Sequence, residues 1–429
     1  MAWPTWAAGS IADRLVRITI LTQGSRGDIQ PYVGLGAALS AAGHLVTLAV
    51  SAAFAPMVLA AGLAVHLVAP DRRLRPAGNG PPRWLPTGLV GSVIQLVADG
   101  PPRNGRPSAY EGYQAACRRA DVVLYPAWLA PVARTIARNR GLLAMPAFLA
   151  PFHPTRAFPS PFLPRLPGRA WNHASHSLAL WLGSVILSGR PLLRNGQFRP
   201  RAFTAGACLP AHGETCLYGY SRTLLPPPPD WPAGPLVTGP WWLEPAAGWR
   251  PPPGLERFLQ GPGKVIFLGF GSMMAARPAE LTTIVKLALA GLDCRAAIAA
   301  GPPGQLVLEK SDRIFPVGDI PHSWLFPRVD AVVHHGGAGT TAEALRAGKP
   351  SVVIPFLGDQ VFWGRRLAHL GAAPAPLPHG RLTSGGLVQA IQQALVEPEL
   401  RRRAEELGAC IREEQGLATA VQAIEALAR

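Results

Sequence analysis

A short apolar run, residues 331–334, leads into the glycine-rich segment 336–341, which reads GGAGTT. A strand that enters such a loop and then a helix presents free backbone N–H groups and the positive helix end to a ligand. The glycines allow close approach of the backbone, and His335, Thr340 and Thr341 add side-chain donors. The segment lacks the Gly-Lys-Ser/Thr of a Walker loop and the spacing of the dinucleotide fingerprint. It predicts a binding site for phosphate groups; a tight turn without a ligand is the alternative.

Two further strand ends in the same half of the chain carry polar residues. Ser272 follows Gly271 where the first strand of this half is predicted to end, which places a small hydroxyl beside the phosphate loop. Asp359 and Gln360 follow another predicted strand, and a carboxylate with an amide can hold the hydroxyl groups of a sugar. For Asp359, capping of the following helix is the alternative.

A third candidate, Asp28, lies in the first half of the chain. It belongs to the loop over residues 24–30, directly after the first predicted strand. A helix is predicted to begin at Pro31, because proline favours the first helical position. The Asp28 carboxylate could cap that helix, or it could deprotonate a hydroxyl group in a cleft. The residues alone leave both interpretations open.

The elements that must position these residues alternate between strand and helix in the first half of the chain. Such alternation predicts a parallel sheet covered by helices. Residues 70–108 and 150–172 are rich in proline, glycine and arginine and are predicted to be long irregular loops. Helices are predicted over residues 31–42 and 54–61. Strands are predicted over residues 17–22, 44–50, 64–68, 121–125 and 142–149.

The same alternation restarts after a proline-rich segment, residues 225–254, which is predicted to be a linker. The sequence therefore predicts an α/β protein with two Rossmann-like parallel-sheet domains that face each other across a cleft. The predicted units are residues 1–224, the linker 225–254, and residues 255–429, with a C-terminal helix able to pack back on the first domain. The later predictions are strands at 264–268, 294–300, 331–334 and 351–355 and helices at 278–290, 342–347 and 400–428.

Composition excludes several classes of protein. A hydrophobic content of 48% excludes disorder over most of the chain, and 46 glycines with 47 prolines predict many loops. The five cysteines form no Cys-x-x-Cys pair, so neither a zinc site nor a disulfide scaffold is predicted. No Asp-x-Asp occurs, so no metal is expected to bridge a diphosphate. These features favour a reduced, cytoplasmic setting.

The net charge of +16 arises from 41 basic and 25 acidic residues. No long basic run or RNA-binding aromatic pattern accompanies it, so nucleic acid is not a predicted partner. A solvated basic surface and a peripheral contact with the inner face of a membrane both remain open. No signal peptide is recognised at the N-terminus, and the apolar run at 178–187 is half of the roughly 20 residues that a spanning helix needs.

Read together, the loop over residues 24–31, the turn over 270–273 and the segment 334–363 resemble one family. They are similar to the nucleotide-sugar-dependent glycosyltransferases of family 1, in the bacterial and sterol-type branch with its antibiotic-tailoring relatives. Residues 150–160 and 172–177 resemble the acceptor-side segment of that family. The resemblance covers nearly the whole chain and implies the two-domain GT-B fold.

The resemblance also implies roles for individual residues. Asp28 falls where relatives carry the catalytic base. The base of the nucleotide would lie at Ile320 and His322, and the donor sugar at Asp359 and Gln360. Ser25, Arg26, Gly27 and Gly271 are expected beside the donor as well. The phosphates would be held by Ser272, His335, Gly337, Gly339, Thr340 and Thr341.

The function that this resemblance implies is an inverting, metal-independent hexosyl transfer. The donor would be UDP-glucose or another UDP- or dTDP-hexose, and no further cofactor is expected. The acceptor would be a hydroxyl of a sterol, terpenoid, lipid or polyketide-type molecule. A lipid-linked sugar transferase of envelope assembly and a non-catalytic nucleotide-sugar-binding protein are the alternatives. If Asp28 is not the base, His153 and His173 of the acceptor-side segment are the next candidates.

Overall fold

The N-terminal half is built on a seven-stranded sheet in which all paired neighbours run parallel. The computed structural model describes residues 15–68, 109–163, 165–187, 193–194, 197–198, 214–271, 278–299, 306 and 308–428. A separate antiparallel pair is formed by β6 (Leu193–Arg194) and β7 (Gln197–Phe198). The sheet consists, in spatial order, of β3 (Ala64–Leu67), β2 (Leu45–Val50), β1 (Arg17–Leu21), β4 (Val122–Tyr125), β5 (Leu143–Phe148), β8 (Cys216–Tyr218) and β9 (Pro235–Val237).

Helices cover this sheet, so its central strands are buried on both faces. Strand β4, for example, is buried at each of its positions, which explains why its sequence is continuously apolar instead of alternating. The helices in the described part of this half are α1 (Arg26–Ala41), α2 (Ala55–Ala60), α3 (Ala109–Ala116), α4 (Ala130–Arg140) and α5 (Arg169–Leu187).

The C-terminal half contains a second parallel sheet, with five strands. In spatial order these are β12 (Ile314–Val317), β11 (Cys294–Ala299), β10 (Lys264–Gly269), β13 (Ala331–His334) and β14 (Ser351–Val353). Its helices are α6 (Leu255–Gln260), α7 (Pro278–Ala290), α8 (His322–Leu325), α9 (Ala338–Arg346), α10 (Gln360–His369), α11 (Ser384–Val396), α12 (Pro398–Glu413) and α13 (Gly416–Leu427).

The two parallel sheets confirm the predicted α/β fold class. The predicted loop over 70–108 lies outside the described residues. The predicted loop over 150–172 is irregular up to the start of α5 at Arg169. Strand β9 lies inside the segment predicted to be a linker, where it extends the first sheet beside β8. Its three residues, one of them proline, are too few to give a strand pattern among so many prolines.

The predicted start of the first helix at Pro31 is wrong. Helix α1 begins at Arg26, and Pro31 lies inside it. The earlier start is stabilised by Ser25 and Asp28: the backbone N–H and the hydroxyl of Ser25 both donate to Oδ2 of Asp28, each at 2.8 Å. This is a capping arrangement, with serine before the helix and an acidic residue at its third position. Asp28 therefore lies in the first turn of the helix and not before it.

The chain crosses from one half to the other through residues 238–244, which thread between helices. Trp241 is buried beside Tyr32 of α1, with ring centroids 5.7 Å apart. At Gly34 of α1 the approach is so close that a Cβ would lie 2.4 Å from the carbonyl oxygen of Trp242. Glycine is required at this position because the clash is with backbone, which cannot turn away as a side chain can.

Gly34→Ala is therefore expected to destabilise the protein, even though alanine is a better helix former than glycine. Overpacking of this kind typically costs about 1–3 kcal/mol, which a lowered melting temperature would reveal. The matched control is Gly385→Ala in α11, where the added Cβ meets nothing within 4 Å. The control should be neutral or stabilising by up to about 1 kcal/mol. Equal melting temperatures for the two variants would contradict the close packing.

The C-terminal helix also joins the halves, because α13 packs on the first domain. Ala420 and Ile424 of α13 are buried in the same apolar cluster as Leu35 and Leu39 of α1. A second apolar cluster contains residues of both halves, among them Tyr218, Leu224 and Trp363. The carboxyl edges of the two sheets are thus held in a defined relation.

Candidate functional site

The phosphate loop predicted from the sequence lies where β13 ends and α9 begins. Helix α9 starts at Ala338 with Gly337 as its N-cap residue. The first hydrogen bond of the helix is donated by the Thr341 N–H to the Gly337 carbonyl at 2.9 Å. The preceding N–H groups of the first turn therefore have no acceptor within the helix, and they point toward the cleft with the positive end of the helix dipole. Gly337 must lack a Cβ, since one would lie 2.5 Å from Nε2 of His335.

His335 is half-buried beside this loop and has a buried ring nitrogen without a partner. Its Nδ1 has no hydrogen-bond partner in the described part of the chain, and neither has the buried Oγ1 of Thr341. Burial lowers the pKa of His335 to about 4, so the imidazole is neutral at pH 7. Gly271 runs past the ring with a positive φ of 61°, and a Cβ there would lie 3.1 Å from Cε1 of His335. A neutral donor beside free backbone N–H groups suits a phosphate oxygen.

The neighbouring His334 has a different role. Its side chain is completely buried, and its Nδ1 accepts a hydrogen bond from the Gly336 N–H at 3.1 Å. It thereby holds the turn in which Gly336 adopts a φ of 88°. His334 supports the shape of the loop, while His335 lines its open side.

The predicted nucleotide-base residues lie next to the phosphate loop. Ile320 is buried, and the imidazole of His322 stacks on Phe326 with ring centroids 4.3 Å apart. Burial lowers the pKa of His322 to about 4, and the positive charge of Arg26 adds to that effect. His322 is therefore close to both halves of the chain, since Arg26 belongs to α1.

An ion pair crosses the cleft at this point. The guanidinium of Arg26 contacts the carboxylate of Asp319, one residue before Ile320, and its Nε also donates to Oε1 of Gln30 at 2.9 Å. Both partners of the ion pair are largely exposed, so its contribution to stability is small. The ion pair instead holds the 24–30 segment next to the predicted nucleotide site.

At the predicted sugar position, Asp359 is the N-cap residue of α10, but its side chain makes no capping hydrogen bond. Instead, the indole N–H of Trp363 donates to Oδ2 of Asp359 at 2.8 Å. Burial raises the pKa of Asp359 to about 6; the bond from Trp363 opposes that rise, and the charge of Asp28 adds to it. The side chain of Asp359 therefore does not cap α10, and the capping alternative is wrong.

Gln360 is turned toward its own loop. Its side-chain Oε1 accepts from the backbone N–H groups of Phe356 and Leu357, at 2.8 and 3.1 Å, and the residue is 4% exposed. The side-chain oxygen of Gln360 therefore stabilises the turn that precedes Asp359 in the chain. Sugar binding by Gln360 stays a prediction.

Asp28 lies on the opposite side of the cleft, in the first turn of α1. Both hydrogen bonds from Ser25 go to Oδ2, and Oδ1 accepts none from the described residues. Burial raises the pKa of Asp28, while the bonds from Ser25 act in the opposite direction. The charge of Asp28 also raises the pKa of Asp359, so the two carboxyl groups, one from each half of the chain, are close enough to interact.

The structure thus brings most of the predicted residues to one cleft. Asp28 and Arg26 come from the first half; Gly271, His322, His335 and Asp359 come from the second. Ser272 lies outside the described residues. Sequence reasoning missed Asp319 and Trp363. The contact of Trp363 with Asp359 could have been predicted, because residues four apart along a helix lie on the same face.

The alternative bases are placed differently. His153 is buried, with Nδ1 2.5 Å from the Tyr218 hydroxyl, and burial lowers its pKa to about 4. His173 is exposed on α5. Neither is among the residues gathered around Asp28 and Asp359. Within the described ranges, no group of three or more His, Cys, Asp or Glu residues is arranged to hold a metal ion.

Aromatic residues wall the first domain's side of the junction between the halves. Phe152 contacts Phe148 and Phe162, and Phe158 approaches Phe362 of α10 with centroids 5.4 Å apart. Next to this pair is an apolar cavity of about 210 Å³, which is also lined by residues 225–229 and Arg366. The acceptor-side segment predicted from the sequence therefore contributes to an apolar surface that reaches α10.

Known proteins share this architecture. The family described as erythromycin biosynthesis protein CIII-like, C-terminal domain, matches residues 296–427. Among solved structures, the spinosyn forosaminyltransferase SpnP superposes with a TM-score of 0.65 at 17% identity, covering 97% of this chain and 100% of that one. The glycotransferase of kitacinnamycin gives 0.63 at 22% identity, with 96% and 99% covered. At such identities the superpositions show the fold alone, which is the two-domain GT-B fold.

Relatives in sequence narrow the class. A sterol 3-beta-glucosyltransferase of Arabidopsis thaliana is 32% identical over 95% of this chain and 65% of its own length. That of Candida albicans is 31% identical over 95% of this chain and 27% of its own length. This chain thus spans less than two thirds of these longer relatives. Together with the family-model match over residues 296–427, they show that most of this chain is similar to part of these glucosyltransferases.

Proposed function

We propose that this chain transfers a hexose from a UDP- or dTDP-sugar to a hydroxyl group of a hydrophobic acceptor. The observation that carries the proposal is a pair of half-buried carboxyl groups, Asp28 from the first half and Asp359 from the second, that are close enough to interact. A donor held with its sugar at Asp359 would present the anomeric carbon toward Asp28. The phosphate loop of α9 lies in the same half as Asp359, so one ligand could occupy both.

The nucleotide diphosphate of the donor is the group that the phosphate loop would bind, and it is also the leaving group of the reaction. The N-terminal N–H groups of α9 and the neutral His335 donate to its oxygens, so the negative charge that develops as it departs is stabilised. These donors are in place before the reaction, because Gly337 and Gly271 leave the room that the His335 ring occupies. The proposed leaving-group stabilisation uses protein donors, and independence from metal ions is part of the proposal.

The proposed chemistry is a direct displacement with inversion. The acceptor oxygen forms a bond to the anomeric carbon while the bond from that carbon to the diphosphate oxygen breaks. The proton of the acceptor hydroxyl passes to Oδ1 of Asp28, since Oδ2 is engaged by Ser25. The raised pKa of Asp28 suits it to this task, because a base near an unperturbed pKa of about 3.9 takes a proton from an alcohol poorly.

The acceptor class is supported from two sides. Aromatic residues, among them Phe158 and Phe362, line an apolar cavity beside α10. The relatives in sequence are named for sterols, and the structural neighbours include proteins named for spinosyn and calicheamicin. A hydrophobic alcohol is therefore the acceptor that we propose for this chain.

The test of the function is the release of nucleotide diphosphate in the presence of UDP- and dTDP-hexoses and a panel of hydrophobic alcohols. Product configuration is read by NMR, and each reaction is repeated with a chelator. Release that requires an alcohol and yields the inverted glycoside supports the proposal. Binding of the donor without transfer to any alcohol would favour a non-catalytic binding protein, and activation by added Mg²⁺ after chelation would contradict the metal-independent mechanism.

Asp359 gives a pH-dependent prediction. Burial raises its pKa to about 6, so the side chain is an ionised acceptor of sugar hydroxyls above that pH and is protonated below it. Affinity for UDP-glucose, relative to UDP, is therefore expected to fall as the pH drops from about 7 to about 5. Asp359→Asn should lose this pH dependence and bind UDP-glucose about tenfold more weakly at pH 7, with UDP affinity unchanged.

Calorimetry with both ligands across this pH range measures the effect. The matched control is Asp330→Asn, because Asp330 is a partly buried carboxylate whose partners are Lys264 and Arg401, at the opposite, N-terminal edge of the second sheet. Equal losses of UDP and UDP-glucose affinity in Asp359→Asn would assign the residue to the loop structure and not to the sugar.

A further inference from the structure

The apolar cavity of about 210 Å³ beside α10 contains one charged group. It is a local apolar surface, and no helix in the described ranges is long and apolar enough to cross a membrane. Phe158 and residues 225–229 line the cavity on one side, and Phe362 and Arg366 of α10 line it on the other. Of the described residues in this lining, Arg366 alone carries a charge. A cation on an apolar wall favours a ligand with an apolar body and one anionic group.

The guanidinium of Arg366 is half-buried and only partly paired. Its Nε donates to the Leu224 carbonyl oxygen at 2.7 Å, which holds the side chain in place, and its two Nη atoms donate to no group in the described part of the chain. Burial lowers the pKa of Arg366, and no described carboxylate opposes that effect. The N–H groups at the outer end of the guanidinium are the ones that can pair with both oxygens of a carboxylate.

The opposite wall of the cavity has few donors for an anion. Residues 226–229 are four consecutive prolines, and proline has no N–H group. The Leu225 N–H donates to the Ser221 carbonyl oxygen at 2.9 Å, and the Ala157 N–H donates to Oγ1 of Thr155 at 3.0 Å. This wall therefore contacts a ligand through apolar surface, and an anionic group of the ligand is left to Arg366.

One face of α10 leads from the proposed sugar position to this cavity. Asp359, Phe362 and Arg366 are spaced by three and then four residues, which places their side chains on the same face of the helix. The interval from Asp359 to Arg366 corresponds to about 10 Å along the helix axis. Phe158 packs on Phe362 between these two positions, with ring centroids 5.4 Å apart. Since Asp28 lies close enough to interact with Asp359, the cavity is about two helical turns from the proposed base.

We propose that this cavity binds the end of the acceptor remote from the reacting hydroxyl, and that this end carries a carboxylate held by the two Nη atoms of Arg366. The acceptor is then an amphipathic hydroxy acid, with about 10 Å or more of apolar framework between its hydroxyl and its carboxylate. The apolar framework packs against Phe158, Phe362 and the prolines. The role of the hydroxyl rests on the proposed function, whereas binding of the carboxylate in the cavity does not.

The test is calorimetry of the purified protein with a hydroxylated long-chain fatty acid and with its methyl ester, each below its micelle concentration. The parent is expected to bind the acid about tenfold more tightly than the ester, because only the acid carries the charge. Arg366→Gln should bind the two ligands equally. Arg366→Lys should keep part of the preference, since its ammonium retains the charge but not the planar pair of donors.

The ratio of the two affinities within one variant is the quantity to compare. Arg366→Gln also loses the bond to the Leu224 carbonyl oxygen, and damage to the fold from that loss affects the acid and the ester alike. The matched control is Arg365→Gln, which removes an exposed arginine from the same helix and should retain the tenfold preference. Acetate should bind far more weakly than the fatty acid, because it lacks the apolar body that fills the cavity.

Equal affinities for the acid and the ester in the parent would overturn the proposal. So would a preference for the acid that survives in Arg366→Gln, or one that is lost in Arg365→Gln, since diffuse surface charge would then account for it. In the transfer assay, the parent should show a lower KM for the hydroxy acid than for its ester, with a similar kcat. Absence of transfer to both, together with a preference for the acid in calorimetry, would count against the proposed function and leave the carboxylate site standing.

Discussion

Asp28→Asn is expected to reduce turnover by about 10²–10⁴-fold, the usual loss when a general base is removed. Asparagine can still accept both hydrogen bonds from Ser25, so the start of α1 should be preserved. Stability should be unchanged or higher at neutral pH. The sign follows from the pKa: burial raises the pKa of Asp28, so its ionised form is disfavoured in the folded state, and stability declines as the carboxyl ionises. Asparagine cannot ionise and avoids that loss.

Turnover, melting temperature and donor affinity should be measured on one preparation. Donor affinity should survive, because the proposed phosphate and sugar contacts lie in the other half of the chain. Asp121→Asn is the matched control. Asp121 also accepts a hydrogen bond, from the Arg17 side chain at 2.7 Å, but it lies at the start of β4, away from the cleft. Turnover near the parent value in Asp28→Asn would leave Asp28 a capping residue and direct attention to other groups.

The local motifs of the site could be read from the sequence, because each is a strand end followed by a turn. The glycine pattern from Gly336 onward predicts a loop at the head of a helix, and α9 starts inside that pattern at Ala338. The same logic misplaced the start of α1. Pro31 resembles a first helical residue, but the reciprocal bonds of Ser25 and Asp28 start the helix one and a half turns earlier.

What the sequence could not show is how the two halves meet. Asp28 and Asp359 are separated by more than 300 residues, and no local pattern specifies that their carboxyl groups come close enough to interact. The ion pair of Arg26 with Asp319 is equally invisible, because its partners belong to different sheets. These relations depend on packing at the junction, where Gly34 admits the backbone of Trp242. Sequence motifs identify the individual loops of the site, but the packing between the two halves determines which loops lie opposite each other across the cleft.

His335→Ala is expected to weaken the affinity for nucleotide diphosphate by about 10- to 150-fold, since a hydrogen bond to a charged group contributes about 1.5–3 kcal/mol. The loss should be similar for UDP and UDP-glucose, in contrast to Asp359→Asn, because the proposed partner of His335 is a phosphate oxygen. Its unpartnered Nδ1 and lowered pKa mean that the neutral ring has a nitrogen available to donate to such an oxygen.

Calorimetry with UDP measures this loss, and two further variants separate it from damage to the fold. His335→Asn keeps a donor in the cavity and should restore part of the affinity. His44→Ala removes a buried histidine of the first domain, whose Nε2 lies 3.2 Å from Glu425. It should lower the melting temperature without changing UDP affinity. If His335→Ala binds UDP as the parent does, the ring is a packing element beside Gly271 and Gly337, and the backbone N–H groups of α9 alone must account for phosphate binding.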